Sequence, residues 1–533
     1  MFFRSSKTTP VKSSIREKVV ALYDEIFFIP EEGKERVLIN TDEFWEQLLL
    51  LKINTPELIS RLNKLNNSDT GLLILKKCGE IIASSLSSKE TVRCINGLIT
   101  ASITVRCLGY PSTLLRNCDT NAMTSAVSSL TNSSMDILGN EDSPHSMKKS
   151  AIGWVLCLLA SDERLGDSSY TTSAFVNSSD SQQCSLKAVM SLLSNASTRF
   201  VFGKDAVSIL SLLIQLPGSD NQFPGRFSIL DDEASINSMS QIIDGELSNA
   251  NVVWRDRLKQ QQSRGMWSSL SSAFAGLLVG GDSQPPTTVL QPGLLLSFFY
   301  ATILNRHFMP TLTQTYPIAA EPSPRNGSLS SPNDQDNTTD HVLPPSSSAE
   351  AGSVSDDNMT PRTPQIEQSS IDNFSPESHQ LPGNLLLTVI EYTSAILQDT
   401  RDESRRHAAH VCLMALEAIV EDAYANSVLH DDNLAFRPVI HRVQLRHRRN
   451  QVQPSPPRPL ANALFDLAIE FTCTHLMKSF PFELHYHALS IIHRLLCYEK
   501  KAGIRLKFDW HELWTALTAL VRIFLFSYIC QSH

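Results

Sequence analysis

The sequence predicts an all-α fold, a helical solenoid interrupted by one unstructured linker. Three observations predict it. Apolar residues recur at helical spacing through residues 14–305 and again beyond 384, and strand-type alternation is nearly absent. Between 319 and 382, Pro, Ser, Asn and Asp dominate and bulky apolar residues almost vanish. With 42% hydrophobic and 19% charged residues, the 533-residue chain is globular overall and can bury a large core. A formal net charge of −9 argues against a general nucleic-acid binder, which is usually basic.

The first element lies near 16–28, where Val19, Val20, Tyr23, Ile26 and Phe27 share one apolar stripe. Leu72–Leu86 and Thr91–Leu108 read as a helical pair. Gly153–Leu159, Ala188–Leu193 and Ala206–Leu216 read as further helices, with the Ser- and Asn-rich stretches 125–146 and 161–184 as separators. No clean period of about 40 residues marks a repeat. At Met266–Leu278, Met266, Trp267, Leu270, Phe274, Leu277 and Leu278 fall on one helical arc, opposite serines and Gly276. A bulky apolar arc facing small uncharged residues is the pattern of a helix that contacts loosely packed membrane.

The 319–382 segment cannot bury enough surface to offset its ordering entropy, so it is expected to be disordered. Its Ser-Pro and Thr-Pro pairs, such as Ser323-Pro324 and Thr360-Pro361, suit proline-directed kinases. Helices resume at Asn384–Leu397, Glu403–Ile419, Pro459–Met477, Phe482–Tyr498 and Trp510–Phe526, with a basic connection at 434–457. The expected division is therefore 1–318 helical, 319–382 linker and 383–533 helical.

No catalytic residue or cofactor site is expected. The chain lacks a Gly-Lys-Ser/Thr phosphate loop, a Gly-x-Ser-x-Gly elbow and a His-Glu-x-x-His pair. Cys473-x-His475, His485-x-His487 and the His493/Cys497 pair interrupt apolar stripes and lack the short paired turns of structural zinc sites, so no metal is expected. Scattered cysteines without a CxxC pair imply a reducing compartment, with Cys157 and Cys497 expected in apolar packing. The N-terminus has no apolar run of signal-peptide length. Leu513–Cys530 nearly reaches membrane-span length, which makes a single-pass protein the alternative reading. Arg522 at its centre would cost about 2.5–3.5 kcal/mol on insertion scales, so a core helix is preferred.

Two stretches suggest partners. Val428, Leu429 and His430 set apolar atoms beside the polar turn Asp431-Asp432-Asn433, a way to present anchors on a rigid scaffold. The competing reading is a helix C-terminus with Leu429 in the core and an Asx-type turn after it. Arg437, Arg442, Arg446, Arg448 and Arg449, with His441 and His447, form a basic patch suited to an acidic protein or anionic lipid.

The block 396–433, with Ile396-Leu397-Gln398-Asp399-Thr400-Arg401-Asp402-Glu403 at its start and Glu421–Asn433 at its end, resembles the armadillo-like helical domain-containing protein 3 family. Arg16–Phe28, Phe44–Asn54, Phe227–Met239 and Arg458–Leu517 agree in type and order. The resemblance implies an armadillo/HEAT-like solenoid and a non-enzymatic scaffold of the cytosol and Golgi membrane, serving Golgi maintenance and secretion. It implies two partners, the large brefeldin-sensitive Arf guanine nucleotide exchange factor and the beta isoform of phosphatidylinositol 4-kinase, together with peripheral membrane contact. Members of the family continue beyond the pattern that breaks off here near Val521, so the second helical region is expected to be incomplete.

Overall fold

Short polar side chains set seven of the helix starts. Asn54, Asp119, Ser178, Asn195, Asn384, Asp402 and Asp422 each accept a hydrogen bond from a backbone N–H of the following turn, satisfying donors that the helix itself leaves free. Pro56 and Pro292 occupy first-turn positions, where a missing N–H costs nothing. A computed structural model of the chain describes residues 17–27, 38–65, 69–108, 119–165, 170–176, 178–263, 289–317, 382–398, 400–441, 456–475 and 481–531.

The first half runs through α1 (Lys18–Phe27), α2 (Asp42–Leu50), α3 (Thr55–Leu62), α4 (Asp69–Ser88), α5 (Thr91–Leu108), α6 (Thr120–Gly139) and α7 (His145–Leu165). It continues with α8 (Tyr170–Val176), α9 (Ser179–Ser194), α10 (Ala196–Ile214), α11 (Phe223–Ser228), α12 (Glu233–Ser263), α13 (Pro292–Leu304) and α14 (Phe308–Thr313). The second half holds α15 (Leu385–Ile396), α16 (Glu403–Ile419), α17 (Ala423–Leu429), α18 (Leu460–Thr474), α19 (Phe482–Ala502) and α20 (Trp510–Gln531). Two short strands, Tyr316–Pro317 and Pro382–Gly383, form a two-stranded sheet.

Packing passes from helix to nearby helix: α4 on α5 and α6, α6 on α9, α9 on α10, α10 on α13, α13 on α16, α16 on α19, and α18 on both α19 and α20. That succession is what a solenoid requires, and the fold is the all-α, armadillo-like one. Apolar stripes from all these helices merge into one core, with Trp45, Trp154, Phe175, Phe298 and Phe465 among its fully buried side chains.

Two corrections concern element boundaries. The stretch 125–146 is mostly helix, within α6 and the start of α7. Serine and asparagine have modest helix propensity, but burial of Met123, Val127, Leu130, Ile137 and Leu138 outweighs it. The hydroxyls are absorbed locally: Ser134 Oγ donates to the Leu130 carbonyl at 2.7 Å, and Thr131 Oγ1 accepts the Trp154 indole N–H at 3.3 Å. Within 161–184, α7 extends to Leu165, and α8 and the start of α9 are helical as well.

The helices on either side of 317–381 form one compact unit rather than two separate regions. α12 packs on α15 and α13 on α16. Polar contacts reinforce the junction: Asn251 Nδ2 donates to the Thr388 carbonyl at 3.1 Å, and the Leu290 N–H to Tyr392 Oη at 2.9 Å. Residues 319–381 of the expected linker, with the phosphorylation motifs, lie outside the described residues, and Pro382 belongs to the second short strand.

The single-pass alternative is also corrected. No helix among the described residues is long and apolar enough to cross a membrane. α20 divides its apolar side chains between a buried stripe (Leu513, Ala516, Leu520) and an exposed one (Trp514, Val521, Leu525), with Arg522 exposed between them. Cys497 is exposed rather than packed, because it lies away from the buried Leu484–Ala488–Ile491–Leu495 stripe of α19, and Cys157 is half-buried.

Candidate partner-binding surface

α16 and α19 are amphipathic helices that meet along mostly apolar faces, with Ala409, Cys412 and Leu416 on one and Leu484, Ala488, Ile491 and Leu495 on the other all buried. At the rim of this contact the sequence places His487, Ser490 and Arg494 at helical spacing on α19, opposite Glu417 of α16. Ser490 Oγ donates to Glu417 Oε1 at 2.6 Å, and Arg494 Nη2 reaches the same oxygen at 3.1 Å. His487 Nδ1 lies 2.6 Å from Glu417 Oε2, and Arg494 Nη1 also pairs with Glu421 at 2.8 Å. His410 Nε2 completes the chain, 3.1 Å from His487 Nε2. Facing a carboxylate, His487 Nδ1 carries a proton and donates it to Glu417.

Burial works against the charge on Glu417, but Ser490, His487 and Arg494 outweigh it and hold the carboxyl below its usual range. Burial, and then the neighbouring His487, push the His410 pKa down. The network therefore holds a carboxylate at neutral pH and fastens α19 to α16 on one side. Periodicity showed a polar stripe on α19, but the carboxylate that meets it lies seventy residues upstream.

On its solvent side α19 exposes Phe482 (63%) and Tyr486 (60%), one turn apart, and α17 exposes Tyr424 (51%). The Tyr486 ring meets the His487 ring edge to face, with centroids 5.5 Å apart. Exposed aromatics on a rigid helix, with arginine nearby, match the composition of protein-interface hot spots. The signal was present in the sequence: Phe482 and Tyr486 are offset from the apolar stripe that their helix buries.

The expected anchor at 428–430 takes its other reading. Leu429 is fully buried, His430 is 4% exposed, and Val428 is half-buried. The inner face of α17, with Ala425, Asn426 and Leu429, packs into the core. His430 Nδ1 bonds the Asn426 carbonyl at 2.9 Å, and its ring lies 4.8 Å from that of Tyr498 on α19. Burial lowers the His430 pKa. The turn beyond is an Asx turn, in which Asp431 Oδ1 accepts the Asn433 N–H at 2.9 Å.

Met266, Trp267, Leu270, Phe274, Leu277 and Leu278 lie outside the described residues, as do Arg442, Arg446, Arg448 and Arg449. Of the remaining basic patch, Arg437 is exposed, but His441 is buried. Its backbone N–H donates to Ser394 Oγ, its ring meets Trp254 edge on, and burial pushes its pKa down to about 4, so it contributes no charge. The His and Cys pairs scatter in the same way. His475 stacks on Phe471, His485 is buried against that same ring, and Cys473 is exposed. Among the described residues no group of three or more His, Cys, Asp or Glu is arranged to hold a metal.

Comparison with known proteins adds to this picture. Residues 458–531 match the family model described as armadillo-like helical domain-containing protein 3, C-terminal, which covers α18, α19 and α20. The armadillo-like helical domain-containing protein 3 of Homo sapiens is 30% identical over 545 residues, spanning 97% of this chain and 72% of that protein. The proteins of the same name from Danio rerio and Xenopus laevis are 30% and 31% identical, over the same shares. Identity sustained along nearly the whole chain, on an all-helical fold, shows that the chain belongs to the armadillo-like helical domain-containing protein 3 family.

Proposed function

We propose that this chain is a non-enzymatic scaffold acting at the Golgi. In this reading it supports recruitment of an Arf guanine nucleotide exchange factor and engages the beta isoform of phosphatidylinositol 4-kinase, for Golgi maintenance and secretion. Family membership supports the assignment, and the exposed aromatic pair Phe482 and Tyr486 carries it for this chain. Two large, mostly exposed aromatic side chains one turn apart, on a helix whose apolar stripe is packed, suit a protein contact. Peripheral membrane contact is part of the same proposal.

The test is a pull-down of the purified lipid kinase, and separately of the exchange factor, with wild-type chain and with Phe482→Ala/Tyr486→Ala. A tenfold or greater loss of one partner, with the melting temperature unchanged, supports the reading. Unchanged capture of both by the double variant, or no capture by the wild type, defeats it.

A further inference from the structure

The turn between α19 and α20 combines charge, apolar exposure and rigidity in a way that the partner surface does not use. Lys500, Lys501, Arg505 and Lys507 are all exposed, and none has an ion-pair partner among the described residues. Ile504 stands among them at 40% exposure. One turn into α20, Trp514 is 61% exposed.

Backbone geometry explains why the cations point outward. Gly503 ends α19 in the left-handed region at φ +66°, and its N–H caps the Glu499 carbonyl. The chain then leaves the helix without regular structure up to Trp510. Leu506 points into the core at 4% exposure, and Phe508 packs 5.1 Å from the Phe465 ring. Arg505 and Lys507, flanking the buried Leu506, face water. The segment is held at both ends: the Ile504 N–H donates to the Glu499 carbonyl at 3.1 Å, and Asn462 Nδ2 donates to the Lys507 carbonyl at 2.9 Å. Nearby carboxylates do little to cancel the charge. Glu499 is buried, and the exposed acids are two, Asp509, which accepts the N–H groups of His511 and Glu512 at the start of α20, and Glu512, against four cations.

We propose that this loop docks the protein on an anionic lipid bilayer, with Lys500, Lys501, Arg505 and Lys507 at the headgroups and Ile504 and Trp514 entering the interface. Four unpaired cations on a chain of net charge −9 give that face a sign opposite to the whole, which turns it toward an anionic surface. An apolar side chain amid the cations, with an exposed tryptophan in the first turns of the helix that follows, favours a bilayer over an acidic protein, because aliphatic and indole groups gain from entering the headgroup boundary.

The full chain is floated with vesicles of phosphatidylcholine alone or with 30% phosphatidylserine. The expected result is binding to the anionic vesicles that weakens with rising salt, and little binding to the neutral ones. Lys500→Gln/Lys501→Gln/Arg505→Gln/Lys507→Gln should reduce anionic binding at least tenfold with circular dichroism and melting temperature unchanged, since all four side chains are exposed. Ile504→Asp should reduce it severalfold on its own. Millimolar inorganic phosphate should not displace the chain beyond its effect on ionic strength. Anionic binding by the quadruple variant equal to wild type would overturn the proposal, as would equal binding to both vesicles. No partner protein is present in the assay, so its outcome is separate from that of the scaffold test.

Discussion

Glu417 of α16 and His487 of α19 face one another with Oε2 and Nδ1 2.6 Å apart, although seventy residues separate them in the chain. The pair sits at the head of a relay that continues to His410 on one side and to Ser490, Arg494 and Glu421 on the other. Behind it lies an apolar helix contact, and beside it the exposed Tyr486 ring. The relay therefore joins the stability of the second helical half to the placement of its candidate interface.

Replacing Glu417 by Ala removes one acceptor from three donors at once. The imidazole, hydroxyl and guanidinium are partly shielded from water, so the loss should reach about 1–3 kcal/mol, the range for a stranded hydrogen-bonding group. Urea unfolding measures it. A change below about 0.5 kcal/mol would show that water replaces the carboxylate freely.

Leu429→Ala should cost about 2–5 kcal/mol, the range for emptying a buried leucine site. Tyr424→Ala, on the exposed face of the same short helix, should stay within about 0.5 kcal/mol. Equal effects of the two changes would contradict the burial pattern of α17.

Burial pushes His441 and His485 down to about 4, below the ordinary histidine value of about 6.5. Groups lowered in the folded state contribute stability that is present above the unfolded value and is lost as pH falls through the folded one. Glu391 runs the other way. Burial raises its carboxyl to about 7, so its contribution is full below the unfolded carboxylate value and disappears as pH rises through 7. Two histidines against one carboxyl leave a net loss of stability on acidification from about pH 6.5 to 4. Glu391→Gln removes the opposing contribution and should steepen that fall. Thermal melts across the range provide the check, and a flat profile for both proteins would rule it out.

Gly293 opens α13 against α10. A Cβ there would lie 2.9 Å from the Ser208 side chain and 3.2 Å from its backbone Cα, so rotamer changes alone cannot relieve the clash. Gly293→Ala should destabilise by about 1–3 kcal/mol, as overpacking does. Gly503→Ala meets open space, and its cost of about 1 kcal/mol should come from the left-handed backbone alone. Restoring a second asparagine-tolerant position separates the two causes: Gly503→Asn should recover part of the loss, and Gly293→Asn none.

Local periodicity determined the helical class of this protein and most of its helices, because a buried stripe needs only three- and four-residue spacing to be visible. Thr91–Leu108 and Glu403–Ile419 coincide with the helices of the structure. Composition likewise set 319–382 apart from the helical stretches on either side. The tertiary structure decided the rest. It made α6 a helix despite its serines, since burial is a property of neighbours. It drew Leu429 inside and left Phe482 and Tyr486 outside, because which side of an amphipathic helix meets water depends on what packs against it. It also brought Glu417 to His487, a pairing across seventy residues that no local pattern encodes, and it turned the cations of 500–507 outward by anchoring Leu506 and Phe508 within.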